Sequence, residues 1–148
     1  MKVFMLSLEE QAEKKADLAV EFTHEDLTEA TANTAQTLSP FTCKANDQAV
    51  ECVQAELKEA FEDTADAAFN STAITIGDAG SAARLLASME LNKNGTEVYL
   101  KAGTGTTYAP TSDTVVTITV NSMTAKSLSS LNKGRAVAYF RIRDRRGN

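Results

Sequence analysis

His24 is the only histidine in the chain, so a Ser-His-Asp relay would have to be built on it. It stands in the polar stretch Thr23-His24-Glu25-Asp26, where a solvated side chain is expected, and no G-x-S-x-G nucleophile turn occurs. Gly77-Asp78-Ala79-Gly80 followed by Ser-Ala-Ala-Arg84 has part of the pattern of a phosphate-cradling loop. The Lys-Ser/Thr pair of a P-loop and the third glycine of a dinucleotide fingerprint are missing, which leaves a plain tight turn as the reading. Glu62, Asp63 and Asp66, with Asp78, are oxygen donors of the kind calcium takes, but their spacing is not that of an EF-hand and hydrated surface acids are expected. Two cysteines without a Cys-x-x-Cys leave no zinc constellation. With no tryptophan and nine aromatics, a sugar-stacking cleft between paired carboxylates has little to be built from. The residues therefore predict no enzyme, no resident metal and no cofactor.

The feature that stands out is the series Arg141, Arg143, Arg145, preceded by Tyr139. Alternate residues of a strand share a face about 6.8 Å apart, so these four side chains form an outward stripe if the segment is extended. Arginine suits bidentate pairing with carboxylates. Two uses stay open: a charged edge that blocks unwanted strand pairing, and docking against an acidic partner, including the N-terminal half of another copy. That half is strongly acidic. Residues 1 to 66 hold 5 Lys/Arg against 15 Asp/Glu, and residues 67 to 148 hold 10 against 5. Folded together, the halves partly neutralise each other; facing different neighbours, they favour acidic-to-basic contacts between copies. An isoelectric point near 4.9 argues against a nucleic-acid binder.

The elements that position these residues read as strands. At 148 residues there is room for one domain with a real core. Leu18, Val20 and Phe22 alternate with polar or small neighbours, and Thr23 with Asp26 forms a capping-box pattern for a short helical turn over residues 25 to 32. The segment 47 to 61 is ambiguous: Val50, Val53, Leu57 and Phe61 suit a helix, whereas Val53, Ala55, Leu57 and Phe61 suit alternation, and the strand is preferred. Asn94-Gly95 between two alternating runs predicts a hairpin. Residues 103 to 113 read as a long exposed loop. Eight strands are expected, near 18–24, 35–44, 49–57, 72–76, 84–92, 96–102, 114–121 and 135–143. The fold class is all-β: an antiparallel β-sandwich, jelly-roll-like, over residues 18–148, preceded by a short arm or helix at 1–17. Strand order cannot be read from alternation.

Cys43 and Cys52 lie nine apart across a possible turn at Asn46-Asp47, which would set them opposite each other on paired strands. The N-terminal residues lack a secretory apolar core and turn acidic by Glu9, so no signal peptide is expected and the cysteines are read as reduced thiols. No run approaches the ~20 apolar residues of a membrane span.

The run from Phe61-Glu-Asp through Asn70-Ser-Thr-Ala-Ile-Thr-Ile-Gly-Asp78, with Glu90-Leu-Asn, Asn94-Gly-Thr-Glu-Val98 and Lys101-Ala-Gly103, resembles small structural proteins of tailed bacteriophages, and more narrowly head decoration (cement) proteins. The resemblance covers roughly residues 50 to 143. It implies a virion protein, made in the host cytoplasm, that binds the outside of the capsid and bridges major capsid protein subunits, often as a trimer or dimer. The candidate contact elements, chosen from charge and exposure, are an arm at 1–17, with Lys14 and Lys15, and the stripe Tyr139, Arg141, Arg143 and Arg145. The alternative is a ligand- or glycan-binding β-sandwich using the 103–113 loop and Tyr108.

Overall fold

The structure, a computed structural model, describes residues 1–92 and 99–144. Among the described residues nine strands follow one another: β1 Lys2–Met5, β2 Leu18–Thr23, β3 Gln36–Cys43, β4 Gln48–Glu62, β5 Ala73–Asp78, β6 Ser81–Glu90, β7 Tyr99–Ala102, β8 Thr114–Val120 and β9 Lys133–Asp144. One helix of seven residues, α1 Leu8–Lys14, lies between β1 and β2. The strands form a five-stranded sheet in the order β1-β2-β9-β4-β7 and a four-stranded sheet in the order β3-β8-β5-β6. All pairings are antiparallel, and the expected all-β sandwich is what the chain forms.

The pairings are nested. β5 pairs with β6, β4 with β7, β3 with β8 and β2 with β9. The chain is thus one long antiparallel ribbon whose tip is the Asp78–Ser81 turn, wrapped so that its successive rungs fall into alternate sheets. The bonds β4–β9 and β5–β8 close it on itself.

Alternation explains the core. Leu18, Val20 and Phe22 of β2, Ala136, Ala138 and Phe140 of β9, and Val116, Ile118 and Val120 of β8 are buried together. The Phe41 ring of the four-stranded sheet meets that of Phe140 in the five-stranded sheet edge-on, with centroids 5.1 Å apart. In β4 the register with β9 is interrupted three times, between Cys52 and Gln54, between Leu57 and Glu59, and between Glu59 and Glu62. Val50 and Cys52, then Ala55 and Leu57, and finally Phe61 therefore all reach the same core. Three extra residues in one strand break its alternation, which is the source of the ambiguity in the sequence.

Several expectations change. β3 and β4 belong to different sheets, so Cys43 and Cys52 do not face each other across a hairpin; the four residues between the strands carry the chain from one layer to the other. β6 and β7 are likewise in different sheets, so no hairpin joins them. The Asn94-Gly95 turn itself lies outside the described residues. The capping box at Thr23 and Asp26 is present but supports only a single 3₁₀ turn, His24–Asp26. The 103–113 loop is tied down: Tyr108 exchanges two 2.8 Å backbone hydrogen bonds with Val50. Residues 1–17 hold a strand as well as a helix, and β1 extends the five-stranded sheet beside β2.

Candidate interaction face on the five-stranded sheet

The five-stranded sheet has a second, smaller apolar cluster on the face away from the core. Ala19 of β2 and Val137 and Tyr139 of β9 are buried there with Leu6 and Ala16, which flank α1, and Val53 packs against them. No residue of α1 itself is buried. The helix is held by its ends. Ser7 caps its start by accepting a hydrogen bond from the Glu10 N–H (3.2 Å), and Glu9 and Glu10 sit in the first turn, where the helix dipole favours acids. Lys15 ends it in a left-handed conformation (φ 56°), with its N–H donating to the Gln11 carbonyl.

Glu56 is the centre of the polar part of this face. Its residue is 2% exposed, and the register of β4 opposite Val137 directs it away from the core. The Lys14 Nζ donates to Glu56 Oε1 at 2.8 Å, the Gln54 amide donates to the same oxygen at 2.8 Å, and Lys58 pairs with Oε2. Burial pushes the Glu56 carboxyl up, but the two lysines outweigh it and hold the group below the ordinary carboxylate value. Glu56 in turn raises Lys14, against the opposing effect of burial. Lys14 also lies over the Tyr139 ring, 5.2 Å from its centroid. Burial, together with Glu56, raises the Tyr139 phenol.

Further along β9, the Arg141 guanidinium donates to the Lys15 carbonyl through Nε (3.1 Å) and an Nη (2.9 Å), satisfying an orphan carbonyl at the helix end, and it lies 3.6 Å from Glu51. The Ile142 N–H donates to Asp17 at 2.8 Å, which ties β9 to the residue just before β2 begins.

The structure therefore brings Lys14, Lys15, Tyr139 and Arg141 together, on one face, as a clasp between the N-terminal segment and the sheet. The expected outward stripe is not what they form: Tyr139 is buried and Arg141 is half-buried, because α1 and its flanks lie over that part of β9. Arg143 is exposed, as is Lys15, and Arg145 lies outside the described residues. Sequence reasoning missed Glu56, Gln54, Glu51 and Asp17, the partners in this clasp. A buried acid in an alternating strand is visible only once the bulges in β4 are placed.

The other groups with chemical potential are separately engaged. Asp78 at the ribbon tip accepts from the Gly80 N–H (2.8 Å), the Ser81 N–H (3.1 Å) and Arg84 Nε (2.6 Å); Arg84 chiefly, against burial, holds its carboxyl below the ordinary value. Arg84 also stacks on Tyr108, 4.1 Å from the ring centroid. Asp66 pairs with Lys126, and Asp63 accepts from the Ala65 N–H. The acids considered for calcium are thus not gathered, and no group of three or more metal-ligating side chains occurs among the described residues. His24 is half-buried rather than solvated, and its Nδ1 has no hydrogen-bond partner among the described residues.

The charge asymmetry along the sequence resolves within the molecule. Basic β9 lies between acidic β2 and β4, with Arg135 3.5 Å from Glu21 and Arg141 beside Glu51. No helix among the described residues is long and apolar enough to cross a membrane. In comparison with known proteins, no family model matches the chain, and neither a curated protein nor a solved structure does.

Proposed function

We propose that the protein is a structural virion component, a capsid decoration protein that binds the outer surface of a phage head and bridges major capsid protein subunits, without enzymatic activity or a cofactor. The observation that carries the reading is the nested strand order. Eight strands paired β2–β9, β3–β8, β4–β7 and β5–β6, divided as β2-β9-β4-β7 and β3-β8-β5-β6, support reading the sandwich as a jelly roll, an architecture recurrent in viral capsid domains. Fold alone does not specify function. Two further features favour a role exercised through surfaces. The carboxylates in polar clusters are neutralised from within, Glu56 by Lys14 and Lys58 and Asp78 by Arg84. The exposed basic side chains Lys15 and Arg143 remain for contact with a partner, as part of many modest contacts acting by avidity.

The glycan-binding alternative draws less support, because one ring face of Tyr108 carries Arg84 and its backbone is committed to Val50. The test is addition of the purified protein to capsids that lack it. Co-sedimentation at saturable stoichiometry and a raised disruption temperature are expected; absence of both ends the reading. Arg143→Glu is the informative variant, since Arg141 already serves the fold, and it is expected to lower occupancy without lowering the melting temperature.

A further inference from the structure

Strand β1 ends the five-stranded sheet, and among the described residues no other strand pairs with its outer backbone edge. It carries large apolar side chains in the open: Val3 is 41%, Phe4 40% and Met5 67% exposed. Natural sheets guard such edges with charges, prolines or bulges. Here Lys2 is the only charge in the strand, there is no proline, and the β1–β2 register runs without interruption from Lys2 to Met5.

Which backbone groups face outward follows from the ladder. The Leu6 N–H donates inward to the Asp17 carbonyl at 2.9 Å. Antiparallel pairing alternates, so Phe4 and Lys2 also turn their peptide groups toward β2, and Val3 and Met5 turn theirs outward. Register with β2 likewise sets the faces: Val3 is opposite Val20 and Met5 opposite Leu18, both core residues, whereas Phe4 is opposite Ala19 on the α1 side.

We propose that β1 is a self-pairing edge, along which two copies of the chain join antiparallel about a two-fold axis at Phe4. In that register Val3 of each copy exchanges backbone hydrogen bonds with Met5 of the other. The two Phe4 side chains meet at the axis, in the closely spaced non-hydrogen-bonded position. The occupant is a second copy because the ends of the strand are complementary in charge. Exposed Lys2 lies at one end, and at the other the chain enters α1 through the exposed acids Glu9 and Glu10. Antiparallel pairing sets each Lys2 opposite Leu6 of the other copy, next to that acidic turn. A parallel pair would instead set like charges together. The interface is isologous and closes at two, giving a continuous ten-stranded sheet rather than a fibre.

This goes beyond the capsid reading and is tested without capsids, so either can fail alone. Sedimentation equilibrium of the purified chain is expected to show a monomer–dimer equilibrium. Val3→Pro removes one outward N–H per copy and leaves the bonds to β2 intact; it is expected to weaken the dimer about tenfold or more. Lys2→Glu, which leaves the backbone untouched, is expected to weaken it several-fold, and adding Glu9→Lys with Glu10→Lys to restore it. Circular dichroism melts check that each variant is folded. A chain that stays monomeric at several hundred micromolar, or a dimer indifferent to both Val3→Pro and Lys2→Glu, overturns the proposal.

Discussion

The ammonium of Lys14 and the carboxylate of Glu56, forty-two positions apart in sequence, meet at 2.8 Å on the outer face of the five-stranded sheet. The contact gives a helix with no buried residues a fixed seat, since Leu6 and Ala16 alone bury apolar surface on either side of it. Lys14→Met keeps the aliphatic stem and removes the charge, leaving Glu56 with Lys58 and Gln54. A loss of about 1–2 kcal/mol is expected in urea denaturation, less than for a fully buried pair because the Lys14 side chain is partly exposed. Hydrogen exchange should accelerate over residues 6 to 17 and stay unchanged in β8.

Acid should loosen the molecule at two buried carboxylates. Glu56 and Asp78 both have folded-state values below their ordinary ones, 4.5 and 3.8. A lowered carboxylate contributes its full stabilisation above the unfolded value and loses it as pH falls through the lower folded one. Lys14 works in the opposite sense: raised above 10.5, it contributes fully below that pH and less as pH climbs through its folded value. Calorimetry should find a melting temperature nearly level between pH 6 and 8 and declining below about pH 4.5. Glu56→Gln and Asp78→Asn should each flatten the acid limb. An unchanged limb in both would remove these two groups from the account.

What the sequence disclosed follows from period and turn chemistry. β2, β8 and β9 are read correctly from strict alternation, and the tip turn from two glycines around Asp78. β1 is missed because a four-residue edge strand has too few positions to show a period, and all four are exposed. The hairpins expected at Asn46-Asp47 and between β6 and β7 fail for a different reason. Alternation locates strands but is silent on which layer each joins, and in this ribbon neighbours in sequence often change sheets. The clasp was half-legible: the spacing of Tyr139 and Arg141 put them on one face, but nothing local to β9 announces that residues 6–16 fold over it.

Burial should silence Cys52. The side chain is 1% exposed, and desolvation, with Glu51 adding to it, pushes the thiol up to about 12. The thiolate is the reactive form, so at pH 8 the population is minute and access is closed as well. Peptide mapping after iodoacetamide treatment of the native protein should find Cys52 unmodified, and fully alkylated once guanidinium is present. Rapid native labelling would mean that β4 opens far more readily than its place between β9 and β7 allows.

Gly103 sits between the Cys52 carbonyl of one layer and the Leu85 carbonyl of the other, and it makes the sharpest stability prediction. The Gly103 N–H donates to the Val53 carbonyl at 3.1 Å, and the next residue, Thr104, donates to the Leu85 carbonyl at 2.9 Å, so the chain passes from one sheet edge to the other within two residues. Val53 is the residue skipped by the register between β4 and β9. A Cβ on Gly103 would lie 1.8 Å from the Cys52 carbonyl oxygen and 3.1 Å from that of Leu85. Both are backbone atoms fixed by strands, so the clash cannot be relieved by a rotamer change. Gly103→Ala is expected to cost about 3 kcal/mol or more. Gly105→Ala, two residues on, supplies the contrast: its φ of +83° is strained for alanine, but nothing lies within 4 Å of the added carbon, and about 1 kcal/mol is expected. Parallel urea titrations should rank the two in that order. Equal costs would mean that backbone strain alone governs this turn and that the sheets do not close on each other there.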